Sequence, residues 1–483
     1  MTKSTEEGFF VAGRVPIVGP TYEEMLHPWK IDPKIRKKAF EMKKKDHLHP
    51  VNLFNITWYN ENDEPYYFVM PKELTGVKAN IIVLYAKDFP SGSHKVGATY
   101  SVLMEKTVTG EVDPTKHTLI WPSTGNYGIG GAWVSSRMNY DSIVILPEEM
   151  SQERFDTITE YGARYVKTPG GEANVREIYE KSKELQKEDP ERIKILNQFS
   201  EFGNYRFHYY VTGNTVIELV RKYKIGNQRI SAVVLGVGSA GTIASGDRIK
   251  QEFPEAKVVA VEPLQCPTLA FNGYGAHDIQ GIGDKHVTWI HNVYNMDAVV
   301  LVSDWDAKFM LHVMVDEVGK EFLSTIVDKE TVEYLADKFG ISGVANVIGA
   351  IKMAKFYNLT EEDNIFVVAT DNIDRYWSVI QNMEKQFGKL TAAEAKSRFE
   401  RIFINQEPSW IVEGTRWQRE RWHNLKYYTW VEQQGKTVEE LDEQREPEFW
   451  EREQNKVQEY IELLEDYRKK HWDELVKLWE VEF

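Results

Sequence analysis

The sequence predicts an α/β fold built on a parallel sheet, flanked by an N-terminal arm and a helical, tryptophan-rich C-terminal extension. Three observations predict it. Between about residues 50 and 390, short runs of β-branched residues alternate with amphipathic stretches of helical spacing. Those runs are continuously apolar, as strands covered by helices on both faces must be. Beyond about residue 391 the runs stop and an aromatic, acidic text takes over, with Trp410, Trp417, Trp422, Trp430, Trp450, Trp472 and Trp479 in this stretch.

Taken in order, residues 1–50 carry Pro16, Pro20, Pro28 and Pro33 and end in Lys43-Lys44-Lys45. This predicts an arm with one short helix. Strands are predicted at 81–84, 118–120, 142–146, 232–235, 258–261 and 365–368, each with a turn signal after it. Near the end, Val457, Ile461, Leu464, Trp472, Leu475 and Trp479 fall at helical spacings and predict one apolar stripe on a helix. That stripe packs either on the chain's own body or on a partner.

Composition excludes several classes. The chain has 483 residues, 42% hydrophobic and 28% charged, which is ordinary globular usage. A formal charge of −15 disfavours phosphate backbones, so no nucleic-acid partner is expected. A single cysteine, Cys266, excludes an intrachain disulfide and a cysteine-rich metal site, and is read as structural. The polar, acidic start predicts no signal peptide, and no apolar run approaches the ~20 residues that span a bilayer. A cytoplasmic protein is expected. There is no H-E-x-x-H, C-x-x-C or P-loop lysine, and the 12 histidines show no ligand spacing, so no metal is expected.

Three loops could carry chemistry. The first, 235–243, follows a predicted strand and reads Leu-Gly-Val-Gly-Ser-Ala-Gly-Thr-Ile. Glycines let backbone N–H groups approach a phosphate at a helix start. The letters also fit G-x-G-x-x-G, and Glu262 lies where a dinucleotide site wants its acid. A nicotinamide oxidoreductase and a structural turn both remain open. The second, 89–98, places Lys95 after a tight Ser-Gly-Ser-His turn. Partial burial would lower its pKa and suit it to a Schiff base, whereas an exposed loop lysine is the plain alternative. The third, 121–128, concentrates Ser123, Thr124, Gly125, Asn126 and Tyr127, neutral donors suited to a carboxylate, or an ordinary Asn-containing turn.

Together the loops resemble the cysteine synthase and cystathionine β-synthase branch of the fold-type II pyridoxal phosphate enzymes. The likeness continues through Met150-Ser151-Gln152-Glu153-Arg154, Thr168-Pro169-Gly170, Asn197-Gln198-Phe199, Val261-Glu262-Pro263 and Gln280-Gly281-Ile282-Gly283. In order, these motifs cover about residues 50–388. The resemblance implies a tryptophan synthase β-like fold of two domains. A large one comprises 51–95 and 200–390, a small mobile one 96–199, and 391–483 is the extension. It implies pyridoxal 5'-phosphate on Lys95, which also serves as base. Gly238, Ser239, Ala240, Gly241 and Thr242 would hold the phosphate and Asn126 the 3'-oxygen. Ser123, Thr124, Gly125, Tyr127 and Gln198 would hold the substrate carboxylate, while Gly281 and Gly283 shape the entrance.

The implied reaction is β-elimination or β-replacement on an L-amino acid through an aminoacrylate, with sulfide or a thiol as nucleophile. The implied assembly is a homodimer or higher homo-oligomer. A dehydratase-type lyase and a catalytically silent partner protein are the alternatives. Departures from the family pattern are His94 before the lysine, Tyr127 for a threonine, and Asp284-Lys285-His286 after the Gln-Gly-Ile-Gly segment. If the last three face the pocket, the substrate has a polar or charged tail; otherwise they form a solvated turn. Either Thr370 or Asp371 reaches the pyridine nitrogen.

Overall fold

A computed structural model describes residues 15–123, 125–150, 152–170, 175–273 and 275–483. Two sheets organise it. The larger runs, from edge to edge, Tyr67–Val69, Asn80–Tyr85, Asn364–Ala369, Ala232–Gly236, Lys257–Pro263, Ala298–Val302 and Ile411–Glu413. The five inner strands are mutually parallel, and the two edge strands pair antiparallel. The smaller sheet, Arg164–Thr168, Asp141–Pro147, Thr118–Pro122 and Ile193–Ile195, is wholly parallel.

Side-chain alternation explains why the inner strands read as unbroken apolar runs. Ile82, Leu84, Val233, Leu235, Phe366 and Val368 enter one core, and Ile81, Val83, Ala232, Val234, Ile365 and Val367 enter the other. With period two and both faces buried, no position is left for a polar residue. The parallel order also fixes where loops gather. The turns after Asn80–Tyr85, Ala232–Gly236 and Asn364–Ala369 all leave the same end of the larger sheet, where open α/β sheets bind ligands.

The arm and the extension each differ from expectation. Among its described residues the arm forms two α-helices, Tyr22–Leu26 and Pro33–Lys45. Thr21 and Glu24 make a reciprocal capping box, and Asp32 caps the second helix ahead of Pro33. The extension is mainly helical but contributes the edge strand Ile411–Glu413. Its terminal stripe is two helices, Pro447–Lys470 and Trp472–Trp479, because the chain breaks at His471. The second helix turns Leu475 and Trp479 inward and leaves Trp472 partly exposed. No helix among the described residues is long and apolar enough to cross a membrane.

One buried ion cluster fastens the extension. Arg206 Nε and Nη2 reach both oxygens of Glu105 at 2.6 and 2.5 Å, and Nη1 reaches Glu453 at 2.8 Å. Tyr22 donates to Glu105 at 2.6 Å. Glu105 lies on the helix Lys95–Val108 and Glu453 on Pro447–Lys470, so arm, body and extension meet at one guanidinium.

Candidate active site

The helix Lys95–Val108 begins at the lysine itself. Ser93 Oγ accepts the Lys95 backbone N–H at 3.3 Å and orders the turn. The Lys95 Nζ donates to Ser239 Oγ at 2.9 Å and to Gln198 Oε1 at 3.4 Å. Burial lowers its ammonium to about 8, since desolvation disfavours the charged form. The exposed-loop alternative for Lys95 is thereby excluded.

Ser239 sits at the centre of the glycine-rich loop. Its Oγ also accepts from Asn204 Nδ2 at 3.1 Å, and Asn204 in turn donates to the Gln198 carbonyl at 3.0 Å. Gly241 packs so closely on Asn204 that a Cβ would fall 2.2 Å from its Oδ1. Ala240 takes a left-handed φ of 61° to turn the chain, and Thr242 opens a short 3-10 turn before the helix Ser245–Glu252.

One pocket brings together Lys95, Ser123, Gly125, Asn126, Tyr127, Gln198, Gly238, Ser239, Gly281 and Gly283, joined by Val175, Phe199, Ile282 and Asp284. Ser123 Oγ accepts the Gly125 N–H at 3.1 Å. Tyr127 is buried edge-on against Trp121, centroids 5.4 Å apart, and its hydroxyl has no partner. Thr124 lies outside the described residues. Gly281 and Gly283 hold left-handed φ values of 98° and 79° where the chain bends along the pocket.

His94, Thr370 and Asp371 stand behind this wall. His94 is buried, its Nε2 3.3 Å from Thr370 Oγ1 and its ring edge-to-face with His208 at 4.8 Å. Burial and then the Lys95 charge push its pKa well down, so its imidazole is neutral. Asp371 Oδ2 accepts from Asn126 Nδ2 at 2.7 Å and Tyr376 at 2.6 Å. Arg375 donates to Asn126 Oδ1 and to the Ser91 carbonyl. Arg375, Asn204 and Tyr376 were not expected at the site; the Asp-Arg-Tyr segment at 374–376 was the signal for the first and last.

Glu262 is buried outside the pocket lining. Its two oxygens accept the N–H groups of Leu269 and Ala270, at 2.8 and 3.1 Å. The ribose-binding role that a dinucleotide site requires is therefore overturned. Cys266 is buried directly behind the pocket wall, its Sγ 3.8 Å from Thr268 Oγ1 and from the carbonyl oxygen of Asp284. Elsewhere His312, Asp316 and Glu384 bring ligand atoms within 4.8 Å of one another, which sequence spacing did not suggest. Arg398 stands 3.3 Å from His312 Nδ1 and adds positive charge there.

Residues 76–319, which hold this whole lysine and glycine-loop arrangement, match the pyridoxal-phosphate dependent enzyme family. The chain belongs to that family. Within it, a cysteine synthase of Staphylococcus aureus is 30% identical over 305 residues, 62% of this chain and 88% of that protein. A probable cysteine synthase of Bacillus subtilis is 33% identical over 219 residues, 45% of this chain and 68% of that one. Among solved structures, cysteine synthase from Entamoeba histolytica aligns with a TM-score of 0.58 at 22% identity, over 69% of this chain and 92% of its own. A hydrogen sulfide-producing enzyme from Fusobacterium nucleatum gives 0.56 at 23%, over 72% and 92%. At that identity the two structures speak for the fold alone.

The residues of this pyridoxal-phosphate enzyme fit the cofactor. A Cβ at Gly238 would fall 3.4 Å from the Gly281 oxygen and Ile282 Cα, filling the cradle beside the loop. The same cradle presents an amine lowered toward its neutral, nucleophilic form.

Proposed function

We propose that this enzyme removes, or removes and replaces, the β-substituent of an L-amino acid of the cysteine or serine type. The observation that carries the proposal is Lys95: a half-buried amine lowered to about 8, held by Ser239 and Gln198 on the wall of a pocket lined by the three glycine-bearing loops. The cysteine synthases among the curated relatives support the same reading. Bound pyridoxal phosphate supplies an electron sink for negative charge at the substrate α-carbon.

Lys95 would hold the cofactor, the backbone of 238–242 its phosphate and Asn126 its ring oxygen. Thr370 is assigned to the ring nitrogen; Asp371, whose Oδ2 is engaged by Asn126 and Tyr376 while its Oδ1 is buried without a partner, is the second reading. A neutral hydroxyl there, backed by neutral His94, brings no second charge into the site. Ser123 accepts the Gly125 N–H, which leaves its own O–H to donate to a substrate carboxylate beside Tyr127 and Gln198. Lys95, neutral once freed, takes the α-proton and can return it at the end. Phe199, Val175 and Tyr127 line the pocket and limit the water that reaches it.

Sulfide or a thiol is the proposed second substrate, and a homodimer the proposed assembly. The proposed domain division is 51–95 with 200–390 against 96–199. The test incubates holoenzyme with L-cysteine, L-serine and an O-acyl-L-serine, with and without sulfide. Pyruvate and ammonia report elimination, and new L-cysteine reports replacement. No turnover of any of the three, with cofactor bound, would overturn the proposal.

A further inference from the structure

The C-terminal extension grips a segment of the body, 284–291, whose first residue lines the pocket. Asp284 lines the pocket. Its Oδ1 accepts the Lys285 N–H at 3.1 Å and lies 3.0 Å from His286 Nδ1. The His286 ring packs on Phe199, Tyr179 and Trp430, with centroids 5.0, 6.0 and 6.0 Å away. The next carbonyls alternate toward the extension. Val287 O accepts from Trp430 Nε1 at 2.9 Å, while Trp289 O and His291 O accept from Lys426 Nζ at 3.2 and 2.7 Å. Between them, Thr288 Oγ1 donates to the Ser239 carbonyl at 3.0 Å. The segment is therefore gripped on one side by the extension and on the other by the loop that meets Lys95.

Lys426 is wholly buried, and Gln444 Oε1 at 2.6 Å completes its set of oxygens. Burying an amine among carbonyls is costly unless it fixes something, because each bond only replaces one made to water. An apolar lid would cover the body without it. What this amine and the Trp430 N–H fix is the path of 287–291, which begins three residues after Asp284 on the pocket wall.

We infer that Trp430 and Lys426 are positioning residues for the substrate side of the pocket: they hold 287–291 and, through His286, keep Asp284 where it accepts a hydrogen bond from the substrate's β-substituent. This rests on the proposed β-chemistry and narrows its substrate class to substituents that carry a donor hydrogen, a thiol or hydroxyl, over their alkylated analogues.

The test uses holoenzyme and compares L-cysteine with S-methyl-L-cysteine. Asp284→Asn is expected to raise KM for L-cysteine up to about tenfold, the scale of one hydrogen bond, with little change for the methylated analogue. Trp430→Phe, which keeps a ring and loses one N–H, is expected to shift the same KM in the same direction by less, with cofactor affinity unchanged. In the Asp284→Asn background the Trp430→Phe effect should vanish. Additive effects, or a wild-type KM ratio in Trp430→Phe, would overturn the inference. If neither amino acid alters the spectrum of the bound cofactor in the unmodified enzyme, it is the β-chemistry that fails. Positioning is then decided by amide exchange over 284–291, which should rise in Trp430→Phe and Lys426→Met; unchanged exchange refutes it.

Discussion

Lys95 Nζ lies 2.9 Å from Ser239 Oγ, a contact between a helix start and a loop 144 positions further on. It makes the lysine's state a property of the tertiary fold. At about 8, against an ordinary 10.5, Lys95 is mostly protonated at pH 6 and mostly neutral at pH 9. Cofactor uptake by the apoenzyme is therefore expected to quicken through pH 8 and level off above it. Borohydride reduction should place the label on Lys95, and Lys95→Ala should cost about 100- to 10,000-fold in turnover. A label on another lysine would refute the assignment.

What could be read in advance follows from how local each signal is. Lys95, Gly238 and Ser239 sit on glycine-bearing turns directly after apolar runs, so pattern alone exposes them. Arg375 and Asp371 act on Asn126 across 249 and 245 positions, and nothing local in either segment announces that pairing. The strand Arg164–Thr168 is largely exposed and carries no apolar run, so it gave no signal. Ala298–Val302 is fully buried and has the same signal as its neighbours, and it belongs in their set. In the extension, helical spacing was legible but the break at His471 was not, because the inward turn of Trp479 depends on Phe54, at the other end of the chain.

Glu262 should make stability depend on pH. Burial, the largest influence, raises its carboxyl from 4.5 to about 7, against the pull of the Leu269 and Ala270 N–H groups. Between those values the folded chain keeps a proton that the unfolded chain releases. Its contribution is thus complete below pH 4.5 and lost as pH rises through 7, by at most about 3 kcal/mol. Urea midpoints from pH 4.5 to 8 should show a falling difference between the unmodified chain and Glu262→Gln. A difference that stays level would exclude the effect.

Arg206 should be the costliest polar residue to lose outside the pocket. Arg206→Met leaves Glu105 buried without a cation and Glu453 with Lys456 alone, expected to cost about 3–5 kcal/mol in urea unfolding. Converting both glutamates to glutamine in the same variant should recover most of that, because the penalty is the stranded charge. Failure to recover would mean that the guanidinium's packing on Tyr460, 5.0 Å away, matters more than its charge.

Four of the extension's seven tryptophans are spent on the chain's own body. Trp422, Trp430, Trp450 and Trp479 are buried, and the first two donate to the carbonyls of Leu269 and Val287, both at 2.9 Å. At about 1.5–3 kcal/mol for each buried large side chain, the four contribute about 6–12 kcal/mol. That matches the whole net stability of a typical protein, about 5–15 kcal/mol. Removing residues 391–483 would bare Phe54, Leu269 and Trp289 and halve the anions around Arg206. Truncation is therefore expected to give insoluble protein. Trp417 is the control, 79% exposed on the same extension. Trp417→Lys should leave stability within about 0.5 kcal/mol, as surface changes do. A truncated chain that is soluble and as stable as the full one would show that the four indoles cover nothing the body needs covered.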